Sequence, residues 1–220
     1  MLPNVPLCLE WLDFPPATST RHSKSEFGNY IAVGTLDPEI EIWTLDVVEM
    51  MWPDAVLGRP DNIPPRAVFS SRSGKKKGKK SKPKKYSPEH HVDAVLGLSW
   101  NKVQRNLLAS ASADKTVKLW DLSRSLHGAE GESGGDRAIR SFDALHTDKV
   151  QAVQWNPNEP TVLLTGSYDR TVRIFDSRAS EKGVGALVGS DVEALRWDPW
   201  ETHSFYVRPL LCKSSRAGES

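Results

Sequence analysis

The amino-acid sequence predicts an all-β protein built from repeated antiparallel sheets, and three observations lead to that prediction. The segments His91–Leu122 and His146–Ser177 align without a gap at an offset of 55 positions. Each segment contains short apolar runs separated by turn residues such as Ala113-Asp114-Lys115, which is typical of strands joined by tight turns. Tryptophan occurs eight times in 220 residues and recurs at matched positions of the repeat.

The repeat spacing favours a β-propeller. Two weaker copies flank the aligned pair, one beginning at Leu7–Trp11 and the other at Asp191–Pro199. Trp155 and Trp197 lie 42 positions apart, which matches the period of about 40–45 residues for a four-stranded propeller blade. The polar, Gly-rich segment 123–137 explains the larger offset of the central pair, because it inserts a surface loop. We therefore predict a partial propeller of about three and a half blades, a number too small to close a ring.

This pattern divides the chain into predicted units. We expect a first blade over 1–58 with an insert at 15–26, a disordered basic loop over 59–90, a second blade over 91–142 with an insert at 123–137, a third blade over 143–190, the start of a fourth blade over 191–207, and a non-repeat tail over 208–220. Tryptophans in the repeat register should pack between blades, whereas Trp52 and Trp200 fall outside it and should be exposed. An unfinished fourth blade should leave Leu195 and Trp197 partly uncovered and make the 220-residue chain prone to self-association.

Composition excludes several classes of protein. The chain has only two cysteines, Cys8 and Cys212, and no Cys-x-x-Cys pair, so neither a zinc ribbon nor a disulfide framework is indicated. The first residues lack the pattern of a signal peptide, and no apolar run approaches the roughly 20 residues of a membrane span. We expect an intracellular, soluble protein.

The charge is nearly balanced, with 29 Lys and Arg residues against 28 Asp and Glu residues, but eight lysines are concentrated in one tract. They are Lys75, Lys76, Lys77, Lys79, Lys80, Lys82, Lys84 and Lys85. Such a tract is a solvated loop that import receptors can read, and it can also attract RNA phosphates or acidic proteins. We expect nuclear import and leave contact with RNA or an acidic partner open.

The segment Ser112–Asp121 reads SADKTVKLWD, which resembles the signature of WD40 repeats. The resemblance implies a structural relay of hydrogen bonds in which Asp114 bonds His91, His91 bonds Ser110, and Ser110 bonds the indole of Trp120. The third copy supplies His146, Thr165 and Asp169, but Phe175 replaces the tryptophan. We expect that relay to be weaker because it has lost its last donor.

The same histidine, serine and aspartate could be taken for a catalytic triad. Because the set recurs one repeat later, we interpret it as structural, and no strained nucleophile position or oxyanion hole is indicated. The six histidines show no metal-ligand spacing. We therefore expect no enzyme activity, no metal and no cofactor.

Longer segments give a more specific resemblance. Over roughly residues 7–207 the order of segments is similar to that of the periodic tryptophan protein 1 family. The segments are, in order, WLDF, GNYIAVG, IEIWTLD, a lysine-rich loop, VDAVLGLSWN, RNLLASASADKTVKLWD and HTDKVQAVQWNP. The resemblance implies a nuclear and nucleolar WD-repeat scaffold for ribosome biogenesis, and it also admits a chromatin-linked role in rRNA transcription. It also implies an incomplete copy, since the family has an acidic region ahead of this point and further blades beyond it.

The partners implied are pre-ribosomal proteins, pre-rRNA, histones or chromatin, and a nuclear import receptor, with no membrane and no small-molecule substrate. A general WD adaptor remains the alternative, either a chromatin reader or a ubiquitin-ligase substrate receptor, because the fold alone permits it.

Overall fold

The computed structural model describes residues 4–17, 27–59, 86–124, 137–179 and 183–210. These residues form fourteen β-strands. The strands are β1 Pro6–Leu12, β2 Tyr30–Thr35, β3 Ile40–Thr44, β4 Ala55–Leu57, β5 Val95–Trp100, β6 Leu107–Ser112, β7 Val117–Asp121, β8 Arg140–Phe142, β9 Val150–Trp155, β10 Val162–Ser167, β11 Thr171–Asp176, β12 Val184–Leu187, β13 Val192–Trp197 and β14 Phe205–Pro209.

The strands pair as antiparallel meanders in chain order. Strands β1–β4, β5–β8 and β9–β12 each make a four-stranded sheet, and β13 pairs with β14. The first strands of successive sheets, β1, β5, β9 and β13, lie side by side. The predicted all-β, partial WD-type propeller is confirmed. Within the described ranges there is no helix long and apolar enough to cross a membrane.

The hydrophobic core lies between the sheets. One cluster joins the first and second sheets, a second joins the second and third, and a third packs the third sheet against β13 and β14. Gly58 shows how closely the first two sheets approach, since a Cβ on it would lie 2.8 Å from Cη2 of Trp120. Its positive φ of 75° also favours glycine. The second and third sheets therefore bury apolar side chains on both faces, as a propeller blade requires.

A repeated hydrogen bond ties each sheet to the next. The residue that precedes the tryptophan of a first strand accepts, through its side chain, the backbone N–H of the tryptophan in the following sheet. The three pairs are Glu10 Oε1 with Trp100 at 3.1 Å, Ser99 Oγ with Trp155 at 3.0 Å, and Gln154 Oε1 with Trp197 at 2.9 Å. Three different side chains thus make the same contact, because each carries an acceptor oxygen at this position.

Two asparagines add a second link at the end of the first strands. The side-chain amide of Asn101 donates to the carbonyl oxygen of Pro160 at 2.7 Å, and that of Asn156 donates to Thr202 at 3.1 Å. In each case Oδ1 also accepts backbone N–H groups of its own turn. The first sheet uses an ion pair instead, in which Arg105 Nε lies 2.7 Å from Asp13 Oδ1.

Three sequence expectations are corrected here. Leu195 and Trp197 are buried rather than partly uncovered, because β14 pairs with β13 and both side chains pack on the third sheet. That pairing continues to Pro209, beyond the expected end of the repeat pattern. Trp11 is 52 % exposed although it lies in the repeat register, and its ring stands nearly perpendicular to that of Trp100 at a centroid distance of 5.8 Å. Trp52 and Trp200 are exposed, as predicted.

The bond between sheets gives a stability prediction. Ser99→Ala removes the acceptor for the buried N–H of Trp155, and an unsatisfied buried donor costs about 1–3 kcal/mol. We expect urea denaturation to show a loss of unfolding free energy in this range. Ser204→Ala is the control, because its hydroxyl bonds Glu201 at an exposed site and should change stability by less than about 0.5 kcal/mol. Equal losses for the two variants would contradict the assignment.

Candidate functional site

The second sheet contains a chain of buried hydrogen bonds centred on His91. Its Nδ1 lies 2.9 Å from Asp114 Oδ2, and its Nε2 lies 2.7 Å from Ser110 Oγ. Ser110 Oγ also accepts the indole N–H of Trp120 at 2.8 Å. Asp114 is held in its turn by the backbone N–H and the hydroxyl of Thr116, which both donate to Oδ1. We call these five residues the first relay.

Electrostatics fix the protonation of this relay. Burial lowers the pKa of the fully buried His91, which keeps the imidazole neutral. The Asp114 pKa is also lowered: burial alone would raise it, but the hydrogen bonds that the carboxylate accepts from His91, Thr116 and the backbone N–H of Val92 outweigh that effect. The neutral ring therefore donates from Nδ1 to the carboxylate and accepts at Nε2 from the Ser110 hydroxyl. Every polar group along the path has a partner.

The third sheet contains a shorter version, the second relay. His146 Nδ1 lies 3.0 Å from Asp169 Oδ2, and Nε2 lies 2.9 Å from Thr165 Oγ1. Thr171 donates to Asp169 as Thr116 does to Asp114. The position of Trp120 is held by Phe175, whose ring has no N–H to offer. Thr165 Oγ1 also lies 3.4 Å from the carbonyl oxygen of Arg173, but its one hydrogen is donated to His146 Nε2, so the path ends at this hydroxyl.

The geometry of the relays supports a structural role rather than hydrolysis. Ser110 and His91 are both 0 % exposed, so no substrate carbonyl can reach the hydroxyl. Ser110 Oγ is also engaged by an indole donor, which lowers its availability as a nucleophile. Within the described residues no group of three or more His, Cys, Asp or Glu side chains is placed to hold a metal ion. The relays tie the turn before β7 or β11 to the loop that leads into β5 or β9.

Sequence reasoning missed a buried lysine beside the first relay. The Lys118 side chain is fully buried, and Nζ donates to Ser87 O at 2.8 Å and to Ser141 Oγ at 2.7 Å. Nζ also lies 5.4 Å from the ring centre of Tyr86, and burial lowers the pKa of Lys118 to about 8. Ser87 stands two residues after the lysine tract, so Lys118 fixes the point where the basic loop rejoins the second sheet. The sequence did contain a signal for a functional cation at this position, because the aligned residue of the next copy is Arg173.

The basic tract itself, from Lys75 to Lys85, lies outside the described residues. The structure places the members of each relay within hydrogen-bond distance of one another. Of the loop that carries the tract, it describes the residues that follow directly, Tyr86 and Ser87.

Comparing the two relays yields a matched mutational prediction. Ser110→Ala leaves two buried groups without a partner, His91 Nε2 and the Trp120 indole, whereas Thr165→Val leaves only His146 Nε2. At about 1–3 kcal/mol for each unsatisfied group, Ser110→Ala should reduce the unfolding free energy more. Asp114→Ala should also cost more than Asp169→Ala, because the network that Asp114 anchors continues to the Trp120 indole, whereas Phe175 shortens the network that Asp169 anchors. Chemical denaturation of the four variants measures both differences, and a larger loss in the Thr165 and Asp169 variants would refute the proposed order.

The histidines also predict a dependence of stability on pH. Both relay histidines have pKa values lowered below 6.5, chiefly by burial. Because the unfolded chain then binds protons more readily, their stabilisation is complete above about pH 6.5 and is lost as the pH falls below it. The slope should reach about 1.4 kcal/mol per pH unit for each histidine.

Urea melts between about pH 7.5 and 5.5 measure this slope. The double variant His91→Gln with His146→Gln should be less stable at neutral pH but should show a flatter dependence over this range. A slope that is unchanged in the double variant would assign the effect to other groups.

Comparison with known proteins agrees with the repeat geometry. The family described as "WD domain, G-beta repeat" matches residues 82–121 and 137–176. Periodic tryptophan protein 1 of Saccharomyces cerevisiae is 42 % identical over 89 % of this chain and 31 % of that protein. The periodic tryptophan protein 1 homolog of Drosophila melanogaster is 33 % identical over 94 % of this chain and 38 % of its own length. The chain spans about a third of the length of these curated relatives.

Two more distant matches are one curated protein and one solved structure, and the latter shows a shared fold. The ribosome biogenesis protein WDR12 homolog of Culex quinquefasciatus is 24 % identical over 80 % of this chain and 46 % of that protein. A chain from the crystal structure of the mitotic checkpoint complex superposes with a TM-score of 0.54 and 18 % identity, over 81 % of this chain and 41 % of that one. The repeats, the relays and the identity along nearly the whole chain agree: the chain belongs to the periodic tryptophan protein 1 family of WD-repeat proteins.

Proposed function

We propose that the chain is a non-catalytic scaffold for ribosome biogenesis, acting in pre-rRNA processing in the nucleus and nucleolus. The observation that carries this proposal is the 42 % identity with the yeast periodic tryptophan protein 1 over 89 % of the chain. Similarity to proteins named ribosome biogenesis protein WDR12 homolog supports the same process. The proposed partners are proteins of the pre-ribosome, and through the basic tract also pre-rRNA.

The buried polar groups support a scaffold. In both relays the histidine, hydroxyl and carboxylate groups form hydrogen bonds within the protein. Partners would therefore bind the loops at the ends of the sheets. A stack of sheets joined by cores and repeated hydrogen bonds gives those loops fixed relative positions. Rigid placement of loops is what a protein needs in order to hold several partners together.

The lysine tract supplies the charge that this role requires. Its eight lysines follow the first blade, and such tracts are recognised by nuclear import receptors and attract phosphates without reading sequence. Lys118 Nζ donates to the carbonyl oxygen of Ser87, two residues after the tract, and so holds Ser87 on the second sheet. We propose that the tract first directs import and then contacts RNA or an acidic protein.

A chromatin-linked role in rRNA transcription is a second candidate. The histone acetyltransferase type B subunit 2 of Candida glabrata is 29 % identical over 53 % of this chain and 26 % of that protein. If this candidate is correct, depletion should lower the rate of rRNA synthesis measured by pulse labelling. In the processing role the synthesis rate stays normal while precursors accumulate.

Depletion of the protein therefore tests the main proposal. We expect unprocessed pre-rRNA to accumulate and the ratio of large to small subunits to change on sucrose gradients. Normal precursors together with normal subunit ratios would overturn the ribosomal role.

Replacing the eight lysines with serine should leave folding intact and move a tagged protein out of the nucleus or nucleolus. The variant should also show a flatter dependence of RNA binding on salt, because counterion release scales with the number of phosphates neutralised. Fluorescence microscopy and filter binding at several salt concentrations measure the two effects. Replacement of the lysines by arginine is the control, since it keeps the charge; unchanged location of the serine variant would remove the tract from the import proposal.

A further inference from the structure

Arg173 on β11 stands at the repeat position that Lys118 holds on β7, but the two cations differ in their partners. Lys118 Nζ has three acceptors, which are Ser87 O at 2.8 Å, Pro88 O at 3.3 Å and Ser141 Oγ at 2.7 Å. Arg173 Nε is shielded from solvent and has no hydrogen-bond partner among the described residues. No ion pair of the described residues includes this arginine either. Because a shielded donor without an acceptor is costly, the arrangement favours an acceptor that another molecule supplies.

The guanidinium lies on a face of the third sheet that the open ring does not expose. Arg173 and Phe175 are two positions apart on β11 and so share one face. The ring of Phe175 packs on that of Phe142 in the second sheet, at a centroid distance of 4.9 Å. The second sheet has all four of its strands. Further sheets of a ring would lie beyond β13 and β14, on the opposite side, and would not supply the acceptor that Arg173 lacks.

A glycine allows this guanidinium to reach the outer edge of its sheet. Arg173 pairs with Gly185 on β12, the outermost strand, and residues paired across strands have their side chains on the same face. A Cβ on Gly185 would lie 3.3 Å from Nη1 and 3.5 Å from Cζ of Arg173. The guanidinium therefore lies over the position that a side chain of β12 would take. In the second sheet the matching residue is Ser141, whose hydroxyl accepts from Lys118.

Backbone groups on the outer edge of β12 stand free beside the guanidinium. The N–H of Val188 donates to Arg170 O at 2.8 Å, and bonded pairs alternate along an antiparallel ladder. Ala186 therefore bonds inward to β11, whereas the N–H and C=O groups of Gly185 and Leu187 point outward, where no described strand pairs with them. β12 contains no charged residue and no proline, which are the features that usually keep an edge strand from pairing.

The outward ladder and the guanidinium together select the chemistry of a partner. An extended polypeptide beside β12 would exchange backbone hydrogen bonds with Gly185. The side chain of its residue opposite Gly185 would lie on the face that carries the Arg173 guanidinium. A carboxylate at that position gives the guanidinium acceptors in a geometry that suits its fork of donors. An RNA phosphate can also bind arginine, but RNA cannot continue the ladder of a strand, so the edge favours a polypeptide.

We propose that the edge of β12 accepts a strand from another protein, with an aspartate or glutamate opposite Gly185 that binds Arg173. Leu187 lies on the same face as Gly185 and is 78 % exposed. It would contact an apolar side chain two positions away from the acid along the added strand. The inference rests on the proposed scaffold function only in that a scaffold must bind other proteins.

Fluorescence anisotropy of the full chain with labelled peptides of about nine residues tests this proposal. The first peptide alternates valine and threonine around a central glutamate, and the second has glutamine in place of that glutamate. The third keeps the glutamate but carries N-methyl groups on it and on the residues two positions to either side, which removes the donors that pair with β12. We expect the first peptide to bind at least about tenfold more tightly than the other two.

Equal affinities for the glutamate and glutamine peptides would overturn the role of Arg173, and equal affinity for the methylated peptide would overturn strand addition. A labelled oligouridine that binds more tightly than the glutamate peptide, and loses this affinity in Arg173→Gln, would overturn the proposal in favour of RNA.

Substitution of the arginine locates the site. Arg173→Gln should remove the preference for glutamate over glutamine, and Arg173→Glu should shift the preference about tenfold toward a peptide with central lysine. Arg178→Gln is the matched control, because it removes the same charge from the same sheet, at a side chain that is 74 % exposed and pairs with Asp176. A control that loses the glutamate preference as fully as Arg173→Gln would overturn the assignment.

Thermal melts add a measurement that does not depend on a peptide. Because Arg173 Nε has no acceptor in the folded chain, Arg173→Met should leave the melting temperature unchanged or raise it. Lys118→Met should lower the melting temperature, because it leaves three acceptors without their donor. An equal fall in both variants would show that Arg173 already has partners within the protein and would overturn the proposal.

The peptide and melting experiments use neither the lysine tract nor pre-rRNA. Their failure would leave the proposed function intact, and a normal result on depletion would leave the strand site intact.

Discussion

Each sheet of this protein depends on one contact with the next, the side-chain acceptor before a first-strand tryptophan that receives the N–H of the following tryptophan. A blade that is covered on both faces cannot leave that N–H to water, so the previous sheet must supply an acceptor. Glu10, Ser99 and Gln154 do so with three different oxygens. In the last described sheet the position is held by Arg196, which offers donors only, so the series of acceptors ends there.

The relays apply the same rule within a sheet. The loop that leads into β5 or β9 must cross over a buried turn, and the histidine connects the two by bonding a carboxylate at one ring nitrogen and a hydroxyl at the other. A neutral imidazole can do this because it has one donor and one acceptor. The set resembles a hydrolase triad in composition. Its groups are buried and hydrogen-bonded to one another, however, so none of them is available to a substrate.

The sequence was sufficient to predict the sheets, because the same order of apolar runs and turn residues occurs in two aligned copies, so each copy supports the strand prediction for the other. The relay members could be placed for the same reason, since His91 and His146 stand at one offset with their aspartates. Lys118 was missed, because a lysine between two apolar residues normally indicates a solvent face, and its carbonyl partners come from a segment about 30 positions away in sequence. The exposure of Trp11 was missed because the repeat register predicts only which face of its sheet a side chain lies on. Whether the side chain is buried depends on what packs against that face.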